Sequence, residues 1–415
     1  MAETPSADVV VIGAGIVGVC VAALLSEAGK AVTVIDRTGV VEETSSGNAA
    51  ALAFSDMLPL AHKGMLKRLP GWLADPLGPL TIRPSYLPAL TPWLLRFLRA
   101  GWEKHFEAGV AAQAALMHLA EAEMLALMER SGTRSMLRED GVLELYDSEA
   151  DFAAARPGYD LRARYGIAFE HLPKTRIADY QPGLSEHFAA ATFIPGWKTV
   201  SDPKDLGKAL WAYAEGLGAR FVQGEARAVD VSSKTVTLSD GRTFAGQSIV
   251  ICAGAWSHLL ARQCGDCIPL ETERGYNTTL PTGAFDLKRQ LYFAGHGFVV
   301  TPLATGIRVG GAVEFAGLKA PPNHARSKAM LKKAKRFMPG LKIESGREWM
   351  GYRPSLPDSL PVIGRASASP DIFYAFGHGH LGLTQSAATG RLIRDLVLGE
   401  SAAIDLAPYG ARRFA

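Results

Sequence analysis

DVVVIGAGIVGVCVAALLSEAGKAVTVID, residues 8–36, decides the fold. Val9 to Ile12 is an unbroken β-branched run, the pattern of a strand covered by helices on both sheet faces. Gly13, Gly15 and Gly18 follow as G-x-G-x-x-G. The reading predicts a helix from Val19 to Glu27, ended by Gly29 in the left-handed conformation, and a second strand from Ala31 to Ile35. In such a βαβ unit the first glycine permits a tight turn. The second lets backbone approach a pyrophosphate, and the third lets helix and strand pack closely. Ala14, Ile16 and Val17 complete the cradle, where unpaired N–H groups and the helix dipole favour an anion. Asp36 ends the second strand, placed for ribose hydroxyls, with Arg37 beside it. A dinucleotide is expected, and the motif alone does not choose between NAD and FAD.

Working outward, 415 residues suit two interwoven domains, and 44 basic against 41 acidic side chains leave a formal charge of only +3. No block of like charge stands out, so a nucleic-acid partner is not expected. Four cysteines are too sparse for a disulfide scaffold and fit a reducing, cytoplasmic setting. Cys264 and Cys267 form a C-x-x-C without a second ligand pair, read as a turn between a helix and a strand. Val9 to Leu25 is apolar, but its glycines and the absence of a preceding Lys or Arg argue against a signal peptide or a membrane span.

Asp202 reads as the N-cap of a helix from Leu206 to Gly216, with Pro203 in its first turn. Strand patterns follow at 219–222, 227–231 and 235–238, then a hairpin turn at Ser239-Asp240-Gly241 and an apolar strand from Ser248 to Cys252. A last helix is expected from about Thr384 to Leu398. Leu58 to Trp102 mixes Leu, Pro, Trp and Phe with Lys63, Lys67, Arg68, Arg83, Arg96 and Arg99. That basic amphipathic composition suits either internal packing or peripheral contact with anionic lipid at the inner face of the cell membrane.

Four further segments share one resemblance: Thr44-Ser-Ser-Gly-Asn-Ala49, Ile251-Cys-Ala-Gly-Ala-Trp-Ser257, Gly351-Tyr-Arg-Pro354, and Pro357 to Gly364 followed by Gly377-His-Gly-His-Leu-Gly382. With the N-terminal fingerprint, this series resembles the D-amino acid dehydrogenase branch of the D-amino acid oxidase-like flavoprotein family, from residue 8 to about 400. The family pattern usually has Gly where Ser359 stands, which puts the local turn in question. The resemblance implies an α/β fold in which a Rossmann-like FAD-binding domain interleaves with an α+β substrate domain built on a mixed sheet. Residues 1–56, 196–269 and 341–415 are assigned to the first domain, and 57–195 and 270–340 to the second.

It also implies FAD as cofactor. Beyond the cradle, Ser45, Ser46, Asn48, Ala49 and Ala50 are expected to close over it, with Val229 at the adenine and Ala253, Gly254 and Trp256 against the nucleotide. Gly351 and the run Gly377, His378, Gly379, His380, Leu381, Gly382, Leu383 and Thr384 are expected at the isoalloxazine ring. The implied reaction converts a D-amino acid to a 2-oxo acid and ammonia, with electrons passed to quinone or another carrier. Narrower secondary-amine dehydrogenases, oxygen-using oxidases and a non-catalytic flavin subunit stay open as alternatives.

Such a site must hold a carboxylate and present the Cα–H, and a permanently charged planar fork does the first. Arg353 is the candidate anchor, with Tyr352 or Tyr276 as hydroxyl donor and His380 lining the same face. His296 is read as a turn histidine rather than a cavity wall. No metal is expected, since His378 and His380 lack a third ligand.

Overall fold

The computed structural model describes residues 7–62 and 78–415. Lys63, Lys67 and Arg68 of the basic amphipathic segment lie outside the described residues. The opening unit forms as read: strand Ala7–Ile12, helix Ile16–Glu27 and strand Val32–Asp36, with Gly29 left-handed at φ +77°.

Ala7–Ile12 is flanked in parallel by Val32–Asp36 and by Thr243–Ile251, and Arg220–Gln223 pairs in parallel beyond Val32–Asp36. Thr243–Ile251 is long enough to serve two partnerships. Its first residues pair antiparallel with Thr235–Leu238, completing the expected hairpin, and its last pair in parallel with Ser369–Phe376. Helices Ile16–Glu27, Pro203–Gly216 and Gly382–Leu398 bury one core, into which Val19, Leu210 and Leu392 point. The opposite face packs around Val10, Ile249 and Ile372. Asp202 caps Pro203–Gly216 by accepting from the amides of Lys204 and Asp205, at 2.8 and 3.4 Å.

A second, mixed sheet orders Arg347–Ser355, Glu271–Leu280, Gly306–Phe315, Phe298–Leu303, Gln290–Phe293, Val142–Tyr146, Ala190–Ile194 and Glu170–Pro173. Leu80–Ile82 adds in parallel to Gly306–Phe315. Helix Ala325–Phe337 closes its core over Phe293, Phe298 and Val309.

Two features depart from the assigned division. Strand Arg347–Ser355, placed with the nucleotide domain by the boundary at 341, belongs to the second sheet through nine-residue pairing with Glu271–Thr279. Helix Glu103–Arg130, placed in the substrate domain, packs Leu116, Ala120, Met124 and Leu127 into the nucleotide-domain core. It is apolar and long enough to cross a membrane by composition, and half of its most apolar stretch is buried within the protein.

All four cysteines are free, and Cys264 and Cys267 lie between helix Ser257–Gln263 and strand Glu271–Leu280, as read. Ser359 sits at φ +64°, a conformation that glycine adopts without strain. Its hydroxyl accepts from the Leu60 amide at 3.0 Å, a bond that glycine would lack.

At Gly18 the nucleotide turn leaves no room for a side chain. A Cβ on Gly18 would stand 1.9 Å from the Gly13 carbonyl oxygen, whereas one on Gly29 would meet nothing within 4 Å. Gly18→Val is expected to purify without visible flavin absorbance. Gly29→Ala is expected to keep it and lose about 1 kcal/mol in urea melts, the cost of a left-handed alanine. Retained flavin in Gly18→Val would contradict the packing role.

Candidate active site

A cavity of about 770 Å³ runs from the glycine turn to the second sheet, within the roughly 300–1,000 Å³ of ligand pockets. At its nucleotide end Gly13, at φ +110°, lies where a Cβ would meet the Cys252 carbonyl oxygen at 2.3 Å. Helix Ile16–Glu27 has no capping side chain of its own; Ser45 Oγ accepts from the Ile16 amide at 3.0 Å. Asp36 accepts from the Ala14, Thr38 and Gly39 amides, so its carboxylate also braces the turn. Arg37 makes two hydrogen bonds to Glu43 and lies 3.8 Å from the ring centroid of Trp256.

Ala14, Gly15, Ile16, Val17, Asn48, Ala49, Ala253 and Gly254 line this cavity as expected. Five expected residues do not. Val229 is buried in the core with its amide on Gln263 Oε1 at 3.0 Å, because a register shift between Ala226 and Ala228 turns Ala226 and Arg227 to the cavity instead. Ser46 bonds back to the Glu43 carbonyl, and Ala50 is held at φ +60° by the Asn48 side chain and the Val200 amide. Gly18 and Gly377 serve packing; a Cβ on Gly377 would meet Leu356 at 2.3 Å. The glycine-rich cradle, the helix N-terminus behind it and the acid at the strand end fit a dinucleotide such as FAD.

The loop after Glu43 joins the two sheets. Thr44 Oγ1 donates to the Tyr352 carbonyl at 3.1 Å and accepts from its amide at 3.2 Å, and Asn277 Nδ2 donates to the Gly47 carbonyl at 2.8 Å. Arg308 donates to the Asn48 carbonyl. Trp349 lies across Gly47 and Gly351, within 2.3 and 2.0 Å of where their Cβ atoms would be. Asn277, Arg308 and Trp349 were not singled out from sequence. Each sits at an unremarkable strand position, and only the register reveals it.

Arg353 projects from strand Arg347–Ser355 across Gly275, where a Cβ would lie 2.4 Å from its Cζ. Its Nη1 donates to the Ala312 carbonyl at 3.1 Å. Four of its five N–H donors have no partner among the described residues. Burial pulls its pKa below the ordinary arginine value, and the charge of Glu273 opposes that shift.

Tyr276 donates its hydroxyl to Glu314 and accepts from the Asn323 amide at 3.0 Å, so its single O–H is spent away from any ligand. Burial raises its pKa. Tyr352 lines the cavity edge-on to Trp256, ring centroids 5.4 Å apart, and its hydroxyl has no partner among the described residues.

The C-terminal motif is tied to the strand that carries Arg353, since the Gly379 amide donates to the Pro354 carbonyl at 2.7 Å. Helix Gly382–Leu398 starts two residues before the expected Thr384, without a capping side chain. Leu381, Leu383 and Thr384 line the cavity. Thr384 Oγ1 accepts from the Ala53 amide at 3.1 Å.

His378 and His380 part company. His380 Nε2 lies 3.1 Å from Asp56 Oδ2, and both residues line the cavity. Burial alone would push the Asp56 carboxyl up, but the His380 hydrogen bond and the charges of His380 and Arg162 bring it below the usual carboxylate value. His378 is buried with Nε2 2.9 Å from Thr389 Oγ1, and burial lowers its pKa to about 3. His296 sits in its turn as read, Nε2 2.8 Å from Asp147 Oδ2.

The chain is similar to known proteins over nearly its whole length. A family model described as "DAO: FAD dependent oxidoreductase" matches residues 8–396. A D-amino-acid oxidase of Bradyrhizobium diazoefficiens is 36% identical over 418 residues, 98% of each chain. A D-amino acid dehydrogenase of Rhizobium rhizogenes is 30% identical, over 98% of this chain and 99% of that one. The crystal structure of glycine oxidase from Geobacillus kaustophilus superposes with a TM-score of 0.74 at 23% identity, covering 98% of this chain and 99% of that one. L-proline dehydrogenase from P. horikoshii gives a TM-score of 0.76 at 19% identity, covering 99% and 98%. At those identities the two structures speak to the fold.

The buried His378 makes stability depend on pH. It stays neutral in the fold down to about pH 3 but takes a proton near pH 6.5 when unfolded. Unfolding therefore binds a proton between those values, and stability falls as pH falls through that window, by at most about 1.4 kcal/mol per unit. Urea midpoints of wild type and His378→Asn at pH 7 and 5 should show a smaller pH loss in the variant. Equal losses would place the effect elsewhere.

Proposed function

The chain belongs to the DAO family of FAD-dependent oxidoreductases, and from that premise we propose that it oxidises D-amino acids to 2-oxo acids and ammonia. The observation that carries this reading is Arg353: a guanidinium lining the cavity beside the nucleotide cradle, with four donors free. Bidentate binding of a planar carboxylate suits that group better than any other side chain. The D configuration follows the names of the relatives that match the whole length.

Bound FAD supplies the two-electron acceptor for the α-hydrogen. The protein's own work is positional. Arg353 grips the carboxylate, Tyr352 offers its unpartnered hydroxyl, and the His380–Asp56 pair stands at the cavity wall to take the proton that the substrate ammonium must lose. Once neutral, the amine nitrogen lone pair drives hydride departure. The resulting imine meets water and gives the 2-oxo acid and ammonia. The start of helix Gly382–Leu398, without a capping side chain, lines the cavity, where its N–H groups would stabilise negative charge on a bound, reduced cofactor.

The acceptor of the electrons is proposed as quinone or another carrier. One surface supports quinone. On helix Leu87–Ala100 and just after it, Leu87, Leu95, Leu98 and Trp102 are exposed, with Arg96 and Arg99 exposed among them. An apolar face edged with arginine suits an anionic bilayer, which would rest a cytoplasmic enzyme on the inner face of the membrane. Co-sedimentation with phosphatidylglycerol vesicles, weakened by salt and by Leu95→Glu, is expected; no sedimentation at low salt would remove this reading.

The function is tested by adding D- and L-amino acids singly to the anaerobic yellow protein and following visible absorbance. Bleaching by D-amino acids supports it; bleaching by NADPH alone overturns it. Arg353→Ala should keep bound FAD while losing at least 100-fold in affinity for carboxylate substrates, about 2.7 kcal/mol. Unchanged affinity would refute the anchor.

A further inference from the structure

Glu273 stands directly opposite Arg353 in the antiparallel pairing of Glu271–Leu280 with Arg347–Ser355. Directly opposed residues hold their Cβ atoms about 4.5–5.5 Å apart on one face of a sheet. Glu273 is 5% exposed and lines the same cavity. A carboxylate and a guanidinium so placed ordinarily close an ion pair. Here they do not, because Arg353 reaches over Gly275 and bonds the Ala312 carbonyl at 3.1 Å. No donor among the described residues bonds the Glu273 carboxylate. Two residues along the strand Glu271 is satisfied differently, by the Tyr86 hydroxyl at 2.9 Å and the Thr272 amide at 2.8 Å.

A buried carboxylate without a partner is costly unless a cation arrives to meet it. The cavity therefore presents one positive and one negative group side by side, close enough to feel each other's charge but not hydrogen-bonded to each other, in a strand register that fixes their spacing. We infer that Arg353 and Glu273 form a two-charge clamp for a zwitterion, the guanidinium taking the carboxylate and Glu273 taking the α-ammonium. This rests on the proposed function and deepens it: recognition requires the cation beside the acid. Carboxylates that lack an α-amine, such as 2-hydroxy acids and the 2-oxo acid product, meet uncompensated repulsion from Glu273. A clamp of this kind binds substrate and sheds product with the same residue. Glu273 acts on binding, while the proton lost later belongs to the chemical step.

The test uses the full-length protein with FAD bound and reduced by dithionite, so that no turnover occurs and calorimetry reads binding alone. Wild type and Glu273→Gln are titrated with D-alanine and D-lactate, and with D-phenylalanine and D-phenyllactate. The clamp predicts opposite changes: the variant binds each amino acid at least tenfold more weakly and each hydroxy acid at least threefold more tightly. Glu273→Asp should restore part of the preference, and visible absorbance of the oxidised variants reports that the cofactor site has folded. Changes of the same sign for both classes, or none, overturn the clamp, as does equal binding of both classes by wild type. Failure of the proposed function shows separately, as a wild-type protein that binds D-amino acids but is not bleached by them.

Discussion

Everything in the active site depends on one close passage, that of the Arg353 side chain over Gly275. Gly275 and Gly351 face each other across two adjacent strands, and neither position can carry a side chain. At Gly275 the missing Cβ gives the guanidinium its path into the cavity, while at Gly351 it makes room for Trp349. Two facing glycines in the interiors of paired strands weaken that pairing locally. The structure keeps them because a charged fork must lie flat against backbone there, so the cost in sheet stability is traded for a fixed cation.

That cation would be useless if the two sheets moved independently. The polar loop after Glu43 prevents this by bonding its hydroxyl and carbonyl groups to Tyr352, Asn277 and Arg308 of the second sheet. The same loop lends Ser45 to the start of the nucleotide helix. The glycine turn and the strand that carries Arg353 are thereby held by one segment of chain, and the Gly379 amide on Pro354 adds a second tie from the C-terminal side. These hydrogen bonds fix Arg353 relative to the glycine turn.

The nucleotide unit was legible because its glycines, strand and acid obey local steric rules within a few residues: Gly13 and Gly18 sit in the close-packed turn that their spacing implies, and Asp36 ends the second strand as read. The place of Arg353 on the cavity wall was legible through the short motif around it. Glu273, Trp349, Asn277 and Asp56 were not, since their roles arise from strand register and loop contact between residues far apart in sequence. Val229 illustrates the opposite error: the strand was read correctly, but one register shift in its hairpin moved the cavity-facing position upstream. The strand carrying Arg353 crosses from one domain to the other for the same reason. Pairing along its whole length with Glu271–Thr279 outweighs its nearness in sequence to the last nucleotide-domain strands.

A crystal structure of the FAD-loaded protein with a bound amino acid or amine-bearing inhibitor decides whether Arg353 holds the substrate carboxylate. The account predicts two parallel hydrogen bonds from Arg353 to the ligand carboxylate, with the ligand's α-carbon facing the isoalloxazine ring. A ligand seated elsewhere in the cavity, with Arg353 bonded only to the Ala312 carbonyl, would contradict it.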